Sequence, residues 1–297
     1  MKTIILSKNP YIYSTNAIVN EYLKKDLNIS VVNPLECNVY KENNINYITN
    51  KGQLLDKVDF VIPRIGSASH FYGIYLVQAF EENNIQTLNS FKGILNSRNK
   101  YNTYLKLVEN NIPTPKTALI KSTENIDFIL DKLGKFPVII KLTRGSQGKG
   151  VMYADSYNSL RSIIDTMSLL EEDIIIQQYF HTEPKNSDIR LYVLYNTVIG
   201  STQRINNYDF RSNTHCGGSM KQININNELA EIALKTANCF NLNFCSIDFL
   251  QTSEGPKILE INSTPGLEKV ETEANLPLTK LLVEKIINNK CLTNTMI

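Results

Sequence analysis

The sequence predicts an α/β fold built from three consecutive units, and three observations support this prediction. Short apolar segments alternate with segments of helical periodicity along most of the 297 residues. Two prolines in the run Ile112-Pro113-Thr114-Pro115 impose an extended connector on the chain. A glycine-rich segment, Lys141–Val151, lies between two predicted strands. We expect the units at residues 1–94, 95–173 and 174–297.

The first unit is expected to be a small α/β domain. Its predicted strands are short and apolar: Thr3–Leu6, Ile29–Val32 and Val58–Ile62. Ser14 is a favourable N-cap and is predicted to open a helix after the first strand. A second helix is predicted over Phe71–Glu82. A longer helix, Asn96–Asn110, begins the second unit and carries several large side chains on one side: Tyr101, Tyr104, Leu105 and Val108.

The alternation continues in the second and third units. The remaining strands of the second unit are predicted at Lys116–Ile120, Phe136–Leu142 and Gly150–Ala154, with helices at Ser122–Leu133 and Ser156–Leu170. A buried strand, Ile174–Tyr179, is expected to begin the third unit. A hairpin around Asn196-Thr197 and a second around Glu254-Gly255 follow, together with helices at Asn227–Phe240 and Leu276–Asn288.

Composition excludes several classes of function. The net charge is +2 and no polybasic block is present, so we expect no nucleic-acid partner. No apolar stretch is long enough to cross a bilayer, so we expect no membrane span. The five cysteines are scattered, and none forms a C-x-x-C pair or a metal-ligand spacing. Their odd number fits a reducing compartment, and we expect a cytoplasmic protein.

The segment KLTRGSQGKGV, residues 141–151, has the composition of a phosphate-binding loop. It lacks the spacing of a Walker loop, and it is followed by a predicted strand where a dinucleotide-binding loop would open a helix. A glycine-rich hairpin can still present backbone N–H groups to phosphate, with Lys141, Arg144 and Lys149 nearby. A surface hairpin with incidental charges is the alternative.

Two acidic residues and an amide lie within apolar strands near the end of the chain. Glu260 and Asn262 alternate along one strand and so point the same way, and Asp248 can face them across the Glu254-Gly255 turn. The basic residues closest in sequence, Lys257 and Lys269, do not share that face. Buried carboxylates need a cation, and a set of oxygen ligands suits Mg²⁺. A structural hydrogen-bonded pair is the alternative.

At this point the sequence resembles the ATP-grasp superfamily, and within it the RimK-type glutamate ligases that modify ribosomal proteins. The resemblance covers nearly the whole chain. The matching runs are Pro63-Arg64-Ile65-Gly66-Ser67 with Phe71-Tyr72-Gly73, Lys141–Val151 with Asp188-Ile189-Arg190, Asp209-Phe210-Arg211-Ser212-Asn213, and Glu260-Ile261-Asn262-Ser263-Thr264-Pro265-Gly266-Leu267-Glu268. The runs that begin at Asp209 and at Glu260 are the most specific.

The resemblance implies an ATP-grasp fold, with an N-terminal pre-ATP-grasp unit and ATP held between the central and C-terminal units. It implies nucleotide contacts from Lys100, Lys141, Gln178, Tyr179, Asp188, Arg211, Ser212 and Asn213. It implies catalytic roles for Arg190, Arg204 and Arg211, which would stabilise the transferred group and the tetrahedral oxyanion. The implied metal ligands are Asp248, Glu260 and Asn262, which would hold two ions of Mg²⁺ or, alternatively, Mn²⁺.

The reaction implied by the resemblance is an ADP-forming carbon–nitrogen ligation. A carboxylate would be phosphorylated by ATP, and an amine would then displace phosphate. The expected partners are a protein or peptide acceptor and a free amino acid, glutamate first, and a homo-oligomer stays open. Two alternatives remain. One is a ligase of the same superfamily that acts on a small metabolite or cross-links a ribosomal peptide. The other is a nucleotide-binding regulatory module without turnover.

Two positions depart from the family pattern. Gln178 stands where the hinge usually carries Glu, which leaves open how the nucleotide base is selected. The run Ile205–Tyr208 is neutral where ribosomal-protein ligases carry a Lys. Asn206, Asn207 and Tyr208 would offer hydrogen bonds without charge, and this favours an acceptor of low negative charge.

Overall fold

The computed structural model describes residues 1–66, 70–145, 148–182, 184–212 and 217–294. The first unit contains, in chain order, β1 (Thr3–Leu6), α1 (Tyr13–Leu23), β2 (Ile29–Val32), a short 3₁₀ turn (Pro34–Glu36), β3 (Cys37–Glu42), β4 (Ile45–Asn50), β5 (Gln53–Leu54), β6 (Phe60–Pro63), α2 (His70–Glu82) and β7 (Gln86–Thr87). A parallel sheet of order β2-β1-β6-β7 is accompanied by a small antiparallel sheet, β3-β4-β5. The sequence patterns did not predict this small sheet, because its outward face is exposed and carries no clean alternation.

The second unit contains α3 (Phe91–Arg98), α4 (Lys100–Glu109), β8 (Thr117–Ile120), α5 (Ile126–Leu133), β9 (Val138–Leu142), β10 (Val151–Ala154), α6 (Tyr157–Leu169) and β11 (Ile174–Gln178). Its antiparallel sheet has the order β10-β9-β11-β8. The strand β11 pairs with β9, with Ile174 opposite Leu142, and so belongs to the second sheet. The expected boundary between the second and third units at residues 173 and 174 stays a prediction.

The third unit contains β12 (Ser187–Leu194), β13 (Thr197–Ile205), β14 (Ser219–Gln222), α7 (Asn227–Cys239), β15 (Phe244–Thr252), β16 (Gly255–Asn262), α8 (Glu268–Thr272) and α9 (Leu278–Asn294). Its antiparallel sheet has the order β14-β13-β12-β15-β16. Both hairpins predicted from turn signals are present. The first turns through Tyr195 and Asn196, which adopt positive φ angles of 43° and 59°, one residue earlier than expected.

The first and third units share one hydrophobic core. Apolar side chains of β1 and α1 pack with side chains of β15, the segment around α8, and α9 in one buried cluster. Ser14 takes part in this contact. Its hydroxyl accepts a hydrogen bond from the backbone N–H of Leu267 at 3.0 Å, and α1 begins one residue earlier without a side-chain cap. Ser14 is therefore an inter-unit contact, and its predicted role as N-cap is wrong.

Asn99 divides the long helix predicted over Asn96–Asn110 into two. Its backbone is extended, with φ −98° and ψ 118°, and its side chain caps α4 by accepting from the backbone N–H groups of Tyr101 and Asn102 at 3.0 and 2.9 Å. The buried face of α4 carries Thr103 and Leu107. The side that carries the four large side chains is more exposed, with Leu105 at 47% and Val108 at 50%.

We expect Asn99→Ala to lower the free energy of unfolding by about 1 kcal/mol, because two N–H groups lose their acceptor. Urea denaturation would measure this change. Asn102→Ala is the matched control, since Asn102 is exposed inside the same helix. Equal stability of the two variants would contradict the capping role.

No helix within the described residues is long and apolar enough to cross a membrane.

Candidate functional site

The glycine-rich segment forms a hairpin connection between two paired strands. Lys141 at the end of β9 lies opposite Val151 at the start of β10. Gly150 has φ +72°, and a Cβ atom there would lie 2.5 Å from the Leu142 side chain, so both the conformation and the space require glycine. Residues 146–147, which belong to this loop, lie outside the described residues. The local prediction of a strand–loop–strand hairpin is confirmed.

Lys141 is buried at the base of this hairpin, with 6% of its surface exposed. Its Nζ donates to Oε1 of Gln177 at 2.6 Å, and Gln177 in turn donates to the hydroxyl of Thr117 at 2.9 Å. Burial, together with the charge of Lys100, lowers the pKa of Lys141 to about 8. The lysine is thus held in place by a neutral partner, and its charge is available to an anion in the adjoining cavity.

Side chains from two other segments fix the backbone of the glycine hairpin. Nζ of Lys100, at the start of α4, donates to the carbonyl of Gly145 at 2.9 Å. Nη1 of Arg211 donates to the carbonyl of Gly148 at 3.0 Å, while Nε and Nη2 of the same residue pair with Asp209. Two predicted nucleotide contacts therefore also hold the loop, and one of them, Arg211, connects the third unit to it.

Aromatic rings collect where β11 leaves the second sheet. The ring of Tyr179 lies edge-on to Tyr153 at 5.6 Å and to His181 at 5.0 Å, and Phe210 contacts Tyr153 from the other side at 5.7 Å. Gln178 is half-buried beside them. Flat apolar surfaces of this kind suit an aromatic base.

The predicted metal ligands lie on neighbouring strands of the third sheet. Asp248 on β15 is directly opposite Glu260 on β16, and Asn262 is opposite Ser246, one pair further along the same face. Asp248 is 2% exposed, whereas Glu260 and Asn262 are half-buried. The expected juxtaposition of the three side chains follows from this register. In the described part of the chain, no group of three or more His, Cys, Asp or Glu side chains forms a metal-binding cluster.

Asp248 is paired with two arginines, and this corrects the expectation that its surroundings supply no cation. Nε and Nη2 of Arg190 donate to its two oxygens at 2.6 and 2.7 Å, and Nη2 of Arg204 donates to Oδ2 at 2.6 Å. Arg204 also pairs with Asp188, whose carboxylate accepts the hydroxyl of Ser212. Both arginines are distant from Asp248 in sequence, because they lie on β12, which pairs with β15, and on β13, the next strand of the sheet.

This ion-pair network sets the charge of its members. Burial acts to raise the pKa of Asp248, but the charges of Arg190 and Arg204 outweigh burial and lower it to about 2. Burial acts in the opposite direction on the two arginines, and the neighbouring aspartates nevertheless raise their pKa values. Asp248, Arg190 and Arg204 are therefore charged at neutral pH.

These side chains line two adjoining cavities. The smaller, of about 100 Å³, lies between the glycine hairpin, the aromatic rings and β16. The larger, of about 800 Å³, lies between the first unit and the third sheet. Lys100, Lys141, Gln177, Arg204 and Glu260 line both cavities. The two spaces therefore meet at the lysines and at the carboxylate of Glu260.

The structure brings most of the predicted site residues to these cavities. The smaller cavity is lined by Gln178, Tyr179, Asp188, Arg211, Ser212 and Asp248, and the larger by Arg190 and Asn262. Asn213 lies outside the described residues. The carboxylate of Asp188 is already bonded to Arg204 and Ser212, so its implied contact with the nucleotide stays a prediction, as do the other individual roles.

Asn206 is not available to an acceptor, although the sequence predicted that it would offer a hydrogen bond there. It is 1% exposed, and its Oδ1 accepts the backbone N–H groups of Tyr208 and Asp209 at 3.0 and 3.1 Å. It therefore shapes the turn after β13 and offers no free polar group to an acceptor. Asn207 and Tyr208 are the exposed side chains of this run, and Tyr208 is 95% exposed.

Gln177 is a site residue that the sequence patterns missed. Strand alternation could have indicated it, because Ile175 pairs with Lys141 and Gln177 lies on the same face two residues further along β11. Arg64, which belongs to one of the family motifs, lines the larger cavity, but nothing local in the sequence indicates that its side chain is buried.

Comparisons with known proteins agree with this geometry. Residues 97–286 match the family model of the RimK-like ATP-grasp domain, and residues 1–94 match that of the RimK pre-ATP-grasp domain. A relative from Maridesulfovibrio salexigens named "Probable alpha-L-glutamate ligase" is 37% identical over 290 residues, which cover 97% of this chain and 96% of the relative. A relative of the same name from Hydrogenovibrio crunogenus is 32% identical over 296 residues, covering 99% and 98%.

Solved structures share the fold at low sequence identity. The ATP-grasp ligase PsnB in complex with a minimal precursor has a TM-score of 0.77 and 16% identity, over 98% of this chain and 99% of PsnB. The D-alanine–D-alanine ligase of Bacillus anthracis in complex with ATP has a TM-score of 0.70 and 16% identity, over 99% and 98%. These matches confirm the predicted α/β ATP-grasp fold.

Proposed function

The chain belongs to the RimK-like ATP-grasp family, and on that premise we propose that it joins an amino acid to a protein or peptide carboxylate through an acylphosphate. Family membership confirms the predicted class, an ATP-grasp ligase. The observation that carries the finer proposal is the meeting of two cavities at Lys141 and Glu260. The smaller cavity has the lining for a nucleotide, and the larger has room for two further substrates.

The smaller cavity supports the binding of ATP. Its aromatic end, at Tyr179 and Phe210, would hold the adenine, and its lysine end would hold the phosphates. Lys141 would contact phosphate directly, since its present partner is a neutral amide that an anion can outcompete. The backbone N–H groups of the glycine hairpin would complete the phosphate site.

The ligand set fits magnesium. A carboxylate has about four acceptor sites, and three of those on Asp248 are taken by arginine N–H groups. Asp248 therefore retains the capacity for one metal bond, and within the described residues the Glu260 side chain makes no hydrogen bond or ion pair. Asp248, Glu260 and Asn262 would hold the ion, which supplies neutralisation of phosphate charge when bound.

The proposed reaction has two steps. First, an oxygen of the acceptor carboxylate attacks the γ-phosphorus of ATP, the bond to the bridging oxygen breaks, and ADP leaves. Second, the amine of the amino acid attacks the carbonyl carbon of the acylphosphate, inorganic phosphate leaves, and the amine loses a proton. The side chains of Arg190 and Arg204 face the larger cavity at the junction, where their N–H groups would stabilise the developing oxyanion.

Glutamate is the first candidate for the amino acid. The relatives named above are glutamate ligases by name, and this chain is 37% and 32% identical to them over nearly its full length. The test is incubation with extract of the source cells, ATP and labelled glutamate. Label in protein or peptide that requires ATP and this chain supports the proposal. ATP turnover without a labelled product, whichever labelled amino acid is supplied, would overturn the proposal.

We expect Lys141→Met to weaken the binding of Mg-ADP strongly, and to remove a dependence on pH that the wild type shows. In the wild type, the protonated fraction of Lys141 falls as pH rises through its pKa of about 8. Affinity for the anionic nucleotide should fall over the same interval, because the attracting charge is lost. Calorimetric titration with Mg-ADP at several pH values between about 7 and 9 would measure both effects.

Lys149→Met is the matched control, because Lys149 is exposed at the tip of the same hairpin. It should bind nucleotide more tightly than Lys141→Met and keep the pH dependence. Wild-type affinity in Lys141→Met would rule out the phosphate role of this lysine.

A further inference from the structure

Arg64 is a buried arginine whose side chain is largely unsatisfied. It follows β6 in the first unit, and it is 7% exposed. Nη2 donates to the backbone carbonyl of Pro265 at 2.9 Å, but Nε and Nη1 are buried without a hydrogen-bond partner among the described residues. Buried donors of this kind normally have an acceptor, and a guanidinium needs one most. Arg64 lines the larger cavity, so a ligand there could supply it.

No ion pair within the described residues includes Arg64. This distinguishes it from Arg190 and Arg204, whose charges are matched by two aspartates. The acidic side chains of the same cavity, Glu260 and Glu268, do not pair with it in the described structure. Burial lowers the pKa of Arg64 to about 10, which still leaves it charged at neutral pH. The fold thus holds an uncompensated positive charge against this cavity.

A second buried polar group lies on the same cavity. The hydroxyl of Thr264 is buried without a hydrogen-bond partner in the described structure. Thr264 immediately precedes Pro265, whose carbonyl fixes the Arg64 guanidinium. Arg98 also lines the cavity and adds positive charge there, with its pKa lowered to about 10 by burial. Two cationic groups and a hydroxyl donor therefore face a common space, which is the donor set of a carboxylate site.

We infer that Arg64 binds the α-carboxylate of the free amino acid whose amine is joined in the proposed reaction. The inference rests on that proposed function. Pro265 is three residues beyond Asn262, a distance of at most about 11 Å of extended chain. Arg64, Glu260 and Asn262 line the same cavity, so a molecule held at Arg64 lies in the cavity that the predicted metal ligands adjoin.

Of the two carboxylates in the proposed reaction, the one that does not react is the better ligand for Arg64. The acceptor carboxylate loses its charge when it becomes an acylphosphate and then an amide, so a buried guanidinium bound to it would lose its partner in every turnover. The α-carboxylate of the amino acid stays charged from binding to product. A fixed, buried arginine is suited to a group of constant charge, and its planar fork can bind a carboxylate through two parallel hydrogen bonds.

Binding of two ligands to the full chain in the presence of Mg-ADP tests the inference without turnover. L-glutamate should bind at least about thirtyfold more tightly than its α-amide, isoglutamine, because truncating one partner of a buried charge pair is costly. Arg64→Gln should weaken glutamate binding by a similar factor and should no longer distinguish the two ligands. Calorimetric titration would measure the affinities, and thermal unfolding would show that the variant is folded.

Arg161→Gln is the matched control, because Arg161 is an exposed arginine on α6, and it should bind both ligands as the wild type does. Arg64→Lys keeps the charge but loses the fork, and should bind glutamate with intermediate affinity. Equal affinity of the wild type for glutamate and isoglutamine would overturn the inference, and so would an absence of glutamate binding.

The alternative is that Arg64 binds a carboxylate of the acceptor, and a peptide ligand tests this. If Arg64→Gln weakens binding of tetraglutamate with a free C-terminus, but not of free glutamate, the site belongs to the acceptor and the inference is wrong. Because these measurements need no ligation, a failure of the extract-labelling experiment would overturn the proposed function while the binding result stood.

Discussion

Glu260→Gln is expected to lower the rate of ATP-dependent ligation about a hundredfold or more, which corresponds to about 2.7 kcal/mol. The substitution removes one of the two carboxylates that would hold magnesium. It should leave the fold intact, because Glu260 is half-buried and, among the described residues, its side chain forms no ion pair that the change would break. ADP release measured over a range of magnesium concentrations would show the loss, and part of it should be recovered at high magnesium.

Glu254→Gln provides the control for this experiment. Glu254 lies at the turn of the same hairpin, and its contact with Lys257 at 3.4 Å is a surface ion pair with a side chain 58% exposed. Removing that charge should change neither the rate nor its magnesium dependence. Wild-type turnover by Glu260→Gln at low magnesium would exclude Glu260 as a metal ligand.

The pairing of β15 with β16 could be predicted from the Glu254-Gly255 turn, and side-chain alternation puts Glu260 and Asn262 on one face. The partner of Asp248 could not be predicted in this way. Regular pairing from the turn would set Asp248 opposite Leu259, and a bulge between Asp248 and Phe249 sets it opposite Glu260. The glycine hairpin was predictable, since its spacing excluded other phosphate loops and its flanking strands are strongly apolar.

Contacts between distant strands could not be predicted in this way. Asp248 meets Arg190 and Arg204 because β15 pairs with β12, and β12 pairs with β13. Nothing within ten residues of Asp248 indicates that order. The same limit applies to Arg64, whose burial depends on a carbonyl 201 positions away. The break at Asn99 is different, because a single asparagine inside a periodic segment reads equally well as a helix position or as a cap.

Asp248→Asn should differ from Glu260→Gln by destabilising the protein. Asp248 is the ion-pair partner of Arg190 within the described residues and shares Arg204 with Asp188. Neutralising it leaves buried guanidinium charge uncompensated, which costs about 3 to 5 kcal/mol when one partner of a buried pair is removed. Urea denaturation in the absence of nucleotide and magnesium would measure this loss separately from any effect on catalysis.

Two further measurements distinguish charge from packing. Adding Arg190→Met to Asp248→Asn should recover part of the stability, because the second change removes the uncompensated charge. Asp209→Asn is the control, since its pair with Arg211 is partly exposed and should contribute no more than about 1 kcal/mol. If Asp248→Asn were as stable as Glu260→Gln, the buried pairs would contribute nothing to the fold.

The effect of Asp248→Asn should also depend on pH in a defined direction. The folded-state pKa of Asp248 is about 2, below the value of about 3.9 for an unfolded aspartate, so its contribution to stability is complete above the higher value. It is lost as pH falls toward the folded-state pKa, because the wild-type carboxylate then becomes neutral like the amide of the variant. The difference in unfolding free energy between wild type and variant should therefore be constant near neutral pH and narrow below about pH 4. A difference that stays constant down to about pH 2 would show that the amide destabilises the site through its shape and not through its lack of charge.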